Sequence, residues 1–132
     1  IQDKPGLYRE IFRVLKPGAL FGLYDLLKGE KGGLYFPVPW APDAACSFLV
    51  TSEELRAALR IAGMEVVGWW DRTRICIEWI AKIEAHRDRG FRPSSLGPQL
   101  ILGSNFPIMA NNIFLNIKEG RCVPTQVLCR KL

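Results

Sequence analysis

The stretch from Ala19 to Leu27, Ala-Leu-Phe-Gly-Leu-Tyr-Asp-Leu-Leu, restricts the architecture most. A run this short and this continuously apolar, broken only by Asp25, suits a strand covered on both faces, the kind that fills buried α/β sheets. It is far shorter than the roughly 20 residues a membrane-spanning helix needs. The residues before it agree. From Leu7 to Leu15, apolar side chains at 7, 8, 11, 12, 14 and 15 give a helix with one broad buried face. Lys16-Pro17-Gly18 then ends it, because Pro17 disfavours helical geometry at Lys16 and Gly18 accepts turn dihedrals.

Beyond the strand, residues 28–50 hold Gly29, Gly32, Gly33, Pro37, Pro39 and Pro42 among the rings of Tyr35, Phe36, Trp40 and Phe48. A loop so long and so aromatic is unusual for a plain connector. The glycines read as flexible punctuation. Thr51-Ser52-Glu53-Glu54 is a capping box, Leu55, Ala58, Leu59 and Ala62 form an apolar face, and Gly63 closes that helix. Glu65 to Trp70 reads as a second strand, paired in parallel with the first or sharing its sheet, with Trp69 and Trp70 on opposite faces. Residues 74–118 carry two inserted helices. Arg74 to Arg89 buries Ile75, Trp79, Ile80 and Ile83, and Phe106 to Lys118 buries Met109, Ile113, Phe114 and Ile117, with a loop from Gly90 to Pro98 between them. Glu119-Gly120 ends the last helix, and Pro124 to Arg130 forms a closing strand with Pro124 tolerated at its start. No repeat or low-complexity segment occurs, so residues 1–132 are expected to form a single domain.

Composition excludes several classes. With 48% hydrophobic and 23% charged residues the chain is globular rather than disordered. The net charge of +5 includes a local cluster of Arg87, Arg89 and Arg92, but no basic stripe or recognition motif, so a solvated surface rather than a nucleic-acid site is expected. Ile1 to Pro5 has no signal-peptide character, which sets a cytoplasmic location without membrane as the expectation. Cys46, Cys76, Cys122 and Cys129 contain no Cys-x-x-Cys pair, and the lone His86 is distant in sequence; four buried thiols are expected, with no metal site and no disulfide framework. His86 reads as a surface side chain, and no Ser or Cys forms a recognisable catalytic pair with it.

The passage Arg9-Glu10-Ile11-Phe12-Arg13-Val14-Leu15-Lys16-Pro17-Gly18 resembles the helix that leads into the fifth strand of class I S-adenosylmethionine-dependent methyltransferases, with Ala19 in place of a second glycine. Glu54-Leu55 through Ala62-Gly63-Met64-Glu65-Val66-Val67 is similar to the helix, turn and strand that follow in that family. Phe36-Pro37-Val38-Pro39-Trp40-Ala41, then Ser47-Phe48-Leu49-Val50, and Gly120-Arg121 before the last strand, are similar to members that methylate sarcosine, dimethylglycine and related small molecules. The resemblance implies an α/β fold equivalent to the C-terminal half of a Rossmann-like methyltransferase sheet, with about three strands, the last antiparallel, and four or so helices. It implies that the chain starts after the family's fourth strand. The family's glycine-rich cofactor loop and ribose-binding acid have no counterpart in these residues, since no Gly-x-Gly spacing occurs. S-adenosylmethionine is the cofactor of the full-length family; none is expected to bind this chain alone.

Methyl transfer from a sulfonium is an in-line displacement, which needs alignment and exclusion of water rather than a dedicated nucleophile. No catalytic residue is therefore assigned. The resemblance implies an acceptor side made of residues 28–50 and the inserted helices. Tyr35, Phe36 and Trp40 are candidate pocket walls that could meet a small cationic amine or amino-acid-like ligand through their ring faces, or could simply pack the loop. Asp25, near the carboxyl end of its strand, could orient an acceptor or be a solvated strand-end acid. Two readings stay open: an acceptor-side portion inactive by itself, or a stand-alone non-catalytic small-molecule-binding or interaction module. An apolar edge at Ala19 to Leu27 also leads to the expectation of a homodimer through that strand or the Leu7 to Leu15 helix.

Overall fold

The computed structural model describes residues 1–90 and 96–132 and divides into two compact units. One unit, built from residues 1–29, 48–72 and 123–132, contains the sheet. It opens with α1, Lys4–Val14, which starts earlier than apolar spacing indicates because Asp3 accepts a hydrogen bond from the Gly6 N–H at 2.8 Å and Pro5 suits the first turn. The strand β1, Leu20–Lys28, follows the turn at Gly18. Then come α2, Ser52–Ile61, and β2, Met64–Asp71; β3, Cys122–Lys131, completes the sheet.

The strand order is β1-β3-β2. β3 runs antiparallel to β2, from Met64 opposite Lys131 to Asp71 opposite Thr125. At the other edge, hydrogen bonds from Gly18 N–H to Lys131 O (3.1 Å) and from Lys131 N–H to Ala19 O (2.9 Å) set the start of β1 against the end of β3. β1 and β2 thus share a sheet and point the same way without pairing. Pro124 stands at the end of the pairing with β2, just past Thr125, where its carbonyl accepts from the Arg72 N–H at 2.8 Å and no N–H is asked of it in that pairing. A bulge at Val67 interrupts the register between Val66 and Gly68. Trp69 then packs against the core, while Trp70 stays exposed with its ring against Gly68, where any Cβ would collide.

The helices α1 and α2 cover one face of the sheet, joining Tyr8, Leu55, Ala58 and Leu59 to Leu27, Met64, Val127 and Cys129. The capping box is formed as read, with Thr51 and Glu54 exchanging hydrogen bonds. Gly63, at φ +88°, leads out of α2 where the Phe12 ring comes within 2.9 Å of the position a Cβ would take, so both dihedral and space require glycine there. The expectation that β1 is covered on both faces is corrected. Burial alternates along it, and Leu20 and Tyr24 are 56% and 59% exposed, because α1 and α2 shield only the face that carries Leu23 and Leu27.

The second unit, residues 30–47 and 73–122, is helical. It contains α3, Thr73–Asp88, the short α4, Gln99–Leu102, and α5, Phe106–Lys118, together with the aromatic loop. α3 packs on α5 through Ile80 and Ile117, the edge-to-face rings of Trp79 and Phe114, and a Glu84–Lys118 ion pair at 2.8 Å. The buried stripe on α3 is narrower than its spacing indicates: Ile75 and Trp79 are largely exposed, and only Ile80 is fully buried. On α5, Met109, Ile113 and Phe114 are half-buried. Residues 99–118 are long and apolar enough to cross a membrane by length and composition, yet Gly103–Asn105, a 3-10 turn, breaks them into separate helices. The expected burial of four thiols is also corrected: Cys122 and Cys129 are buried on β3, but Cys46 is exposed at the end of a loop turn and Cys76 is half-buried on α3. Arg92, and with it residues 91–95 of the stretch expected as a loop from Gly90 to Pro98, lie outside the described residues.

Candidate functional site

The loop of residues 30–47 is held by α5 through side-chain amides. Asn116 is fully buried, and its carboxamide grips the main chain of Tyr35 on both sides: Oδ1 accepts from the Tyr35 N–H at 2.8 Å, and Nδ2 donates to the Tyr35 carbonyl at 3.1 Å. One turn earlier, Asn112 Nδ2 donates to the Pro37 carbonyl at 2.9 Å. The two asparagines, four residues apart, lie on one face of α5 and replace the strand partner that an extended segment would otherwise need. The Phe36–Pro37 peptide is cis. Val38 and Ala41 then pair their own main chains and are buried, closing a tight reversal.

Arg121 fastens the start of the loop. Its guanidinium donates to the Gly33 carbonyl at 2.6 Å, to the Tyr35 hydroxyl at 2.8 Å and to Glu119 Oε2 at 2.7 Å, and it lies 4.1 Å from the centre of the Tyr35 ring. The Tyr35 hydroxyl donates onward to Glu119 at 3.0 Å. Hydrogen bonds from Arg121 and then Tyr35 hold the Glu119 carboxyl below the usual carboxylate range, and the bond to Glu119 raises the Arg121 guanidinium further. Gly32 and Gly33 are therefore pinned rather than slack: Gly32 adopts φ +84° beside Arg121, and Gly33 supplies an acceptor.

The candidate residues fall into two groups. Tyr35, Phe36 and Trp40 are together in the helical unit; Asp25 is in the sheet unit. One face of Tyr35 already carries Arg121, so a cationic ligand would have to use another ring. Phe36 is half-buried, as is Trp40, whose Nε1–H donates to Ser47 Oγ at 3.1 Å. Asp25 accepts from the Leu26 N–H at 2.9 Å and pairs with Lys4 at 3.3 Å. Beside it the Tyr8 hydroxyl is buried without a hydrogen-bond partner among the described residues, and burial, followed by the charge of Asp25, pushes its pKa up to about 12.

Sequence reading missed Asn112, Asn116 and Glu119, and placed Arg121 only by resemblance. The available signal was two asparagines at helical spacing in an otherwise apolar helix, since a polar group on a buried face needs a stated partner. The chemistry these residues offer is positioning. Burial raises the Cys122 and Cys129 thiols, Cys122 to about 12, which keeps them protonated and inert. His86 is exposed with Nδ1 against the Lys82 carbonyl at 2.7 Å. Among the described residues no three His, Cys, Asp or Glu side chains gather as metal ligands. Of the positive-φ glycines, those at 18, 63, 90, 103 and 120 follow helix ends and Gly32 lies in the loop, so none of these six sits in a strand-to-helix turn.

No protein-family model and no curated protein matches the sequence. Solved structures do match. A proposed sarcosine dimethylglycine methyltransferase from Galdieria sulphuraria superposes over 99% of this chain with a TM-score of 0.67 and 17% identity. Phosphoethanolamine N-methyltransferase 2 of Haemonchus contortus, in complex with phosphomonomethylethanolamine and S-adenosylhomocysteine, superposes over 99% with a TM-score of 0.68 and 14% identity. The [4+2]-cyclase SpnF superposes over 96% with a TM-score of 0.57 and 24% identity. At these identities the likeness establishes the fold alone, an α/β arrangement shared with part of these Rossmann-like structures. The chain spans 48%, 31% and 43% of the three structures respectively, less than half of each.

Proposed function

We propose that these residues are the acceptor-side portion of an S-adenosylmethionine-dependent small-molecule methyltransferase, inactive as this chain alone and dependent on a separate cofactor-binding portion. The observation that carries this reading is the likeness to methyltransferases over nearly the whole chain, against a span of less than half of theirs. The role fits the chemistry present. A fixed loop with Phe36 and Trp40 held half-buried suits the wall of an acceptor pocket, and a displacement at a sulfonium asks such a wall only to orient the nucleophile and exclude water. The two N-methyltransferase-type structures point to a small amine or amino-acid-like acceptor. The exposed outer face of β1, which is also an edge strand, is the surface through which we propose a homodimer.

Titration calorimetry and chemical-shift mapping test the reading. S-adenosylmethionine should give no saturable heat with the 132-residue chain, whereas sarcosine or dimethylglycine should shift resonances of residues 34–47 weakly and saturably, and Trp40→Ala should reduce those shifts without unfolding. Micromolar cofactor binding by this chain, or amine-induced shifts unchanged in Trp40→Ala, would overturn it.

A further inference from the structure

A second site lies in the helical unit, on a cleft of about 600 Å³ that none of Tyr35, Phe36 and Trp40 lines. Its volume is within the range of roughly 300–1,000 Å³ usual for small-molecule sites. Trp79 and Ile83 of α3 and Phe106 and Phe114 of α5 line it. Trp79 is 58% exposed, yet its ring is braced edge-to-face by Phe114 at a centroid distance of 6.4 Å, which makes a rigid apolar wall open to solvent. Such exposure on a packed helix pair costs solvation that an occupant would recover.

The charges on the wall specify the occupant. Glu84 is already neutralised by Lys118 at 2.8 Å. Arg87, one helical turn further along the same side of α3, lines the cleft, and its guanidinium has no hydrogen bond or ion pair among the described residues. The wall therefore carries one uncompensated positive charge above an apolar floor. We propose that the cleft binds a small apolar molecule bearing one anionic group, of the fatty-acid or aryl-carboxylate class, with its chain or ring against the wall formed by Trp79 and Phe114 and its anion on Arg87. The cleft lies on the inserted helices but shares no lining residue with the aromatic loop, so its occupancy is tested separately from that of Phe36 and Trp40.

The test is calorimetry of the full chain with dodecanoate below its micelle concentration, against dodecanol as the neutral control. Dodecanoate should bind saturably with one site per chain. Arg87→Glu, on an exposed side chain that folding does not use, should weaken dodecanoate by about tenfold or more and leave dodecanol unchanged. Ala110→Trp, which fills the cleft, should weaken both; its circular dichroism reports whether it folds, and the Arg87 variant decides the matter if it does not. Absence of saturable dodecanoate binding would overturn the proposal, as with a cleft covered by a second copy of the chain. Equal binding of both probes, indifferent to Arg87→Glu, would overturn it as mere apolar insertion.

Discussion

Replacing Asn116 by leucine should detach the aromatic loop from α5. The substitution keeps the branched shape, though it is bulkier, and removes from a fully buried side chain both hydrogen bonds to the main chain of Tyr35, leaving that N–H and carbonyl without the partner they have among the described residues. An unmet buried polar group costs about 1–3 kcal/mol, so two cost roughly 2–6 kcal/mol, less whatever the loop recovers by swinging into water. Against a total stability of about 5–15 kcal/mol this is a large loss. Urea unfolding followed by circular dichroism should show a free energy of unfolding lowered by that amount, with the midpoint shifted down accordingly. Hydrogen exchange should show the Tyr35 amide losing its protection while the amides of β2 and β3 keep theirs. Asn111→Leu, an exposed neighbour on the same helix, is the control and should change stability by less than about 0.5 kcal/mol. A stability within about 0.5 kcal/mol of the parent for Asn116→Leu, with the Tyr35 amide still protected, would refute the claim that the asparagine holds the loop.

Other outcomes follow from the same geometry. Glu119 has its pKa depressed by Arg121 and Tyr35 when folded, so its contribution is present above the ordinary carboxylate pKa and is lost as pH falls through the folded value; Glu119→Gln should flatten the acid limb of a stability–pH curve, and an unchanged limb would count against the network. Tyr8→Phe removes a hydroxyl that finds no partner, so it should be neutral or stabilise by about 1 kcal/mol. It should also abolish a loss of stability expected as pH rises from 10 towards about 12, because the unfolded phenol ionises first; ultraviolet titration of the tyrosines with unfolding curves checks both. Light scattering over a range of concentrations should show a dimer that Tyr24→Lys disrupts, and a concentration-independent monomer would remove the proposed β1 interface.

Local chemistry made much of this fold readable. The Thr51 and Glu54 box, the glycines at 18, 63 and 120, and the apolar period of α5 each act within a few residues, and their elements stand where the chain alone puts them. What depends on distant partners was not readable. Whether Leu20 and Tyr24 are covered is decided by which layers lie over β1, and hydropathy carries no record of that. Trp79 has the spacing of a core residue but belongs to a cleft wall. The loop rings advertised a site, while the groups that fix the loop, Asn112, Asn116 and Arg121, are separated from it by about the length of the inserted helices and announce themselves only as polar interruptions.

The position of β3 between β1 and β2 has a kinetic consequence. Both flanking strands leave the ribosome long before the strand that joins them, and neither can satisfy its main chain on the other. Throughout that interval the nascent chain carries two open edges and the apolar side chains of Phe21, Leu23 and Val66 without a sheet to hold them. Among the described elements, collapse of α1 onto α2 and of α3 onto α5 can come early, and the pairing of β1 and β2 with β3 around Val127 and Cys129 must come late. A chain organised in this way needs protection while it waits: its yield should respond to chaperone supply and to translation speed more than to any single contact in the finished molecule.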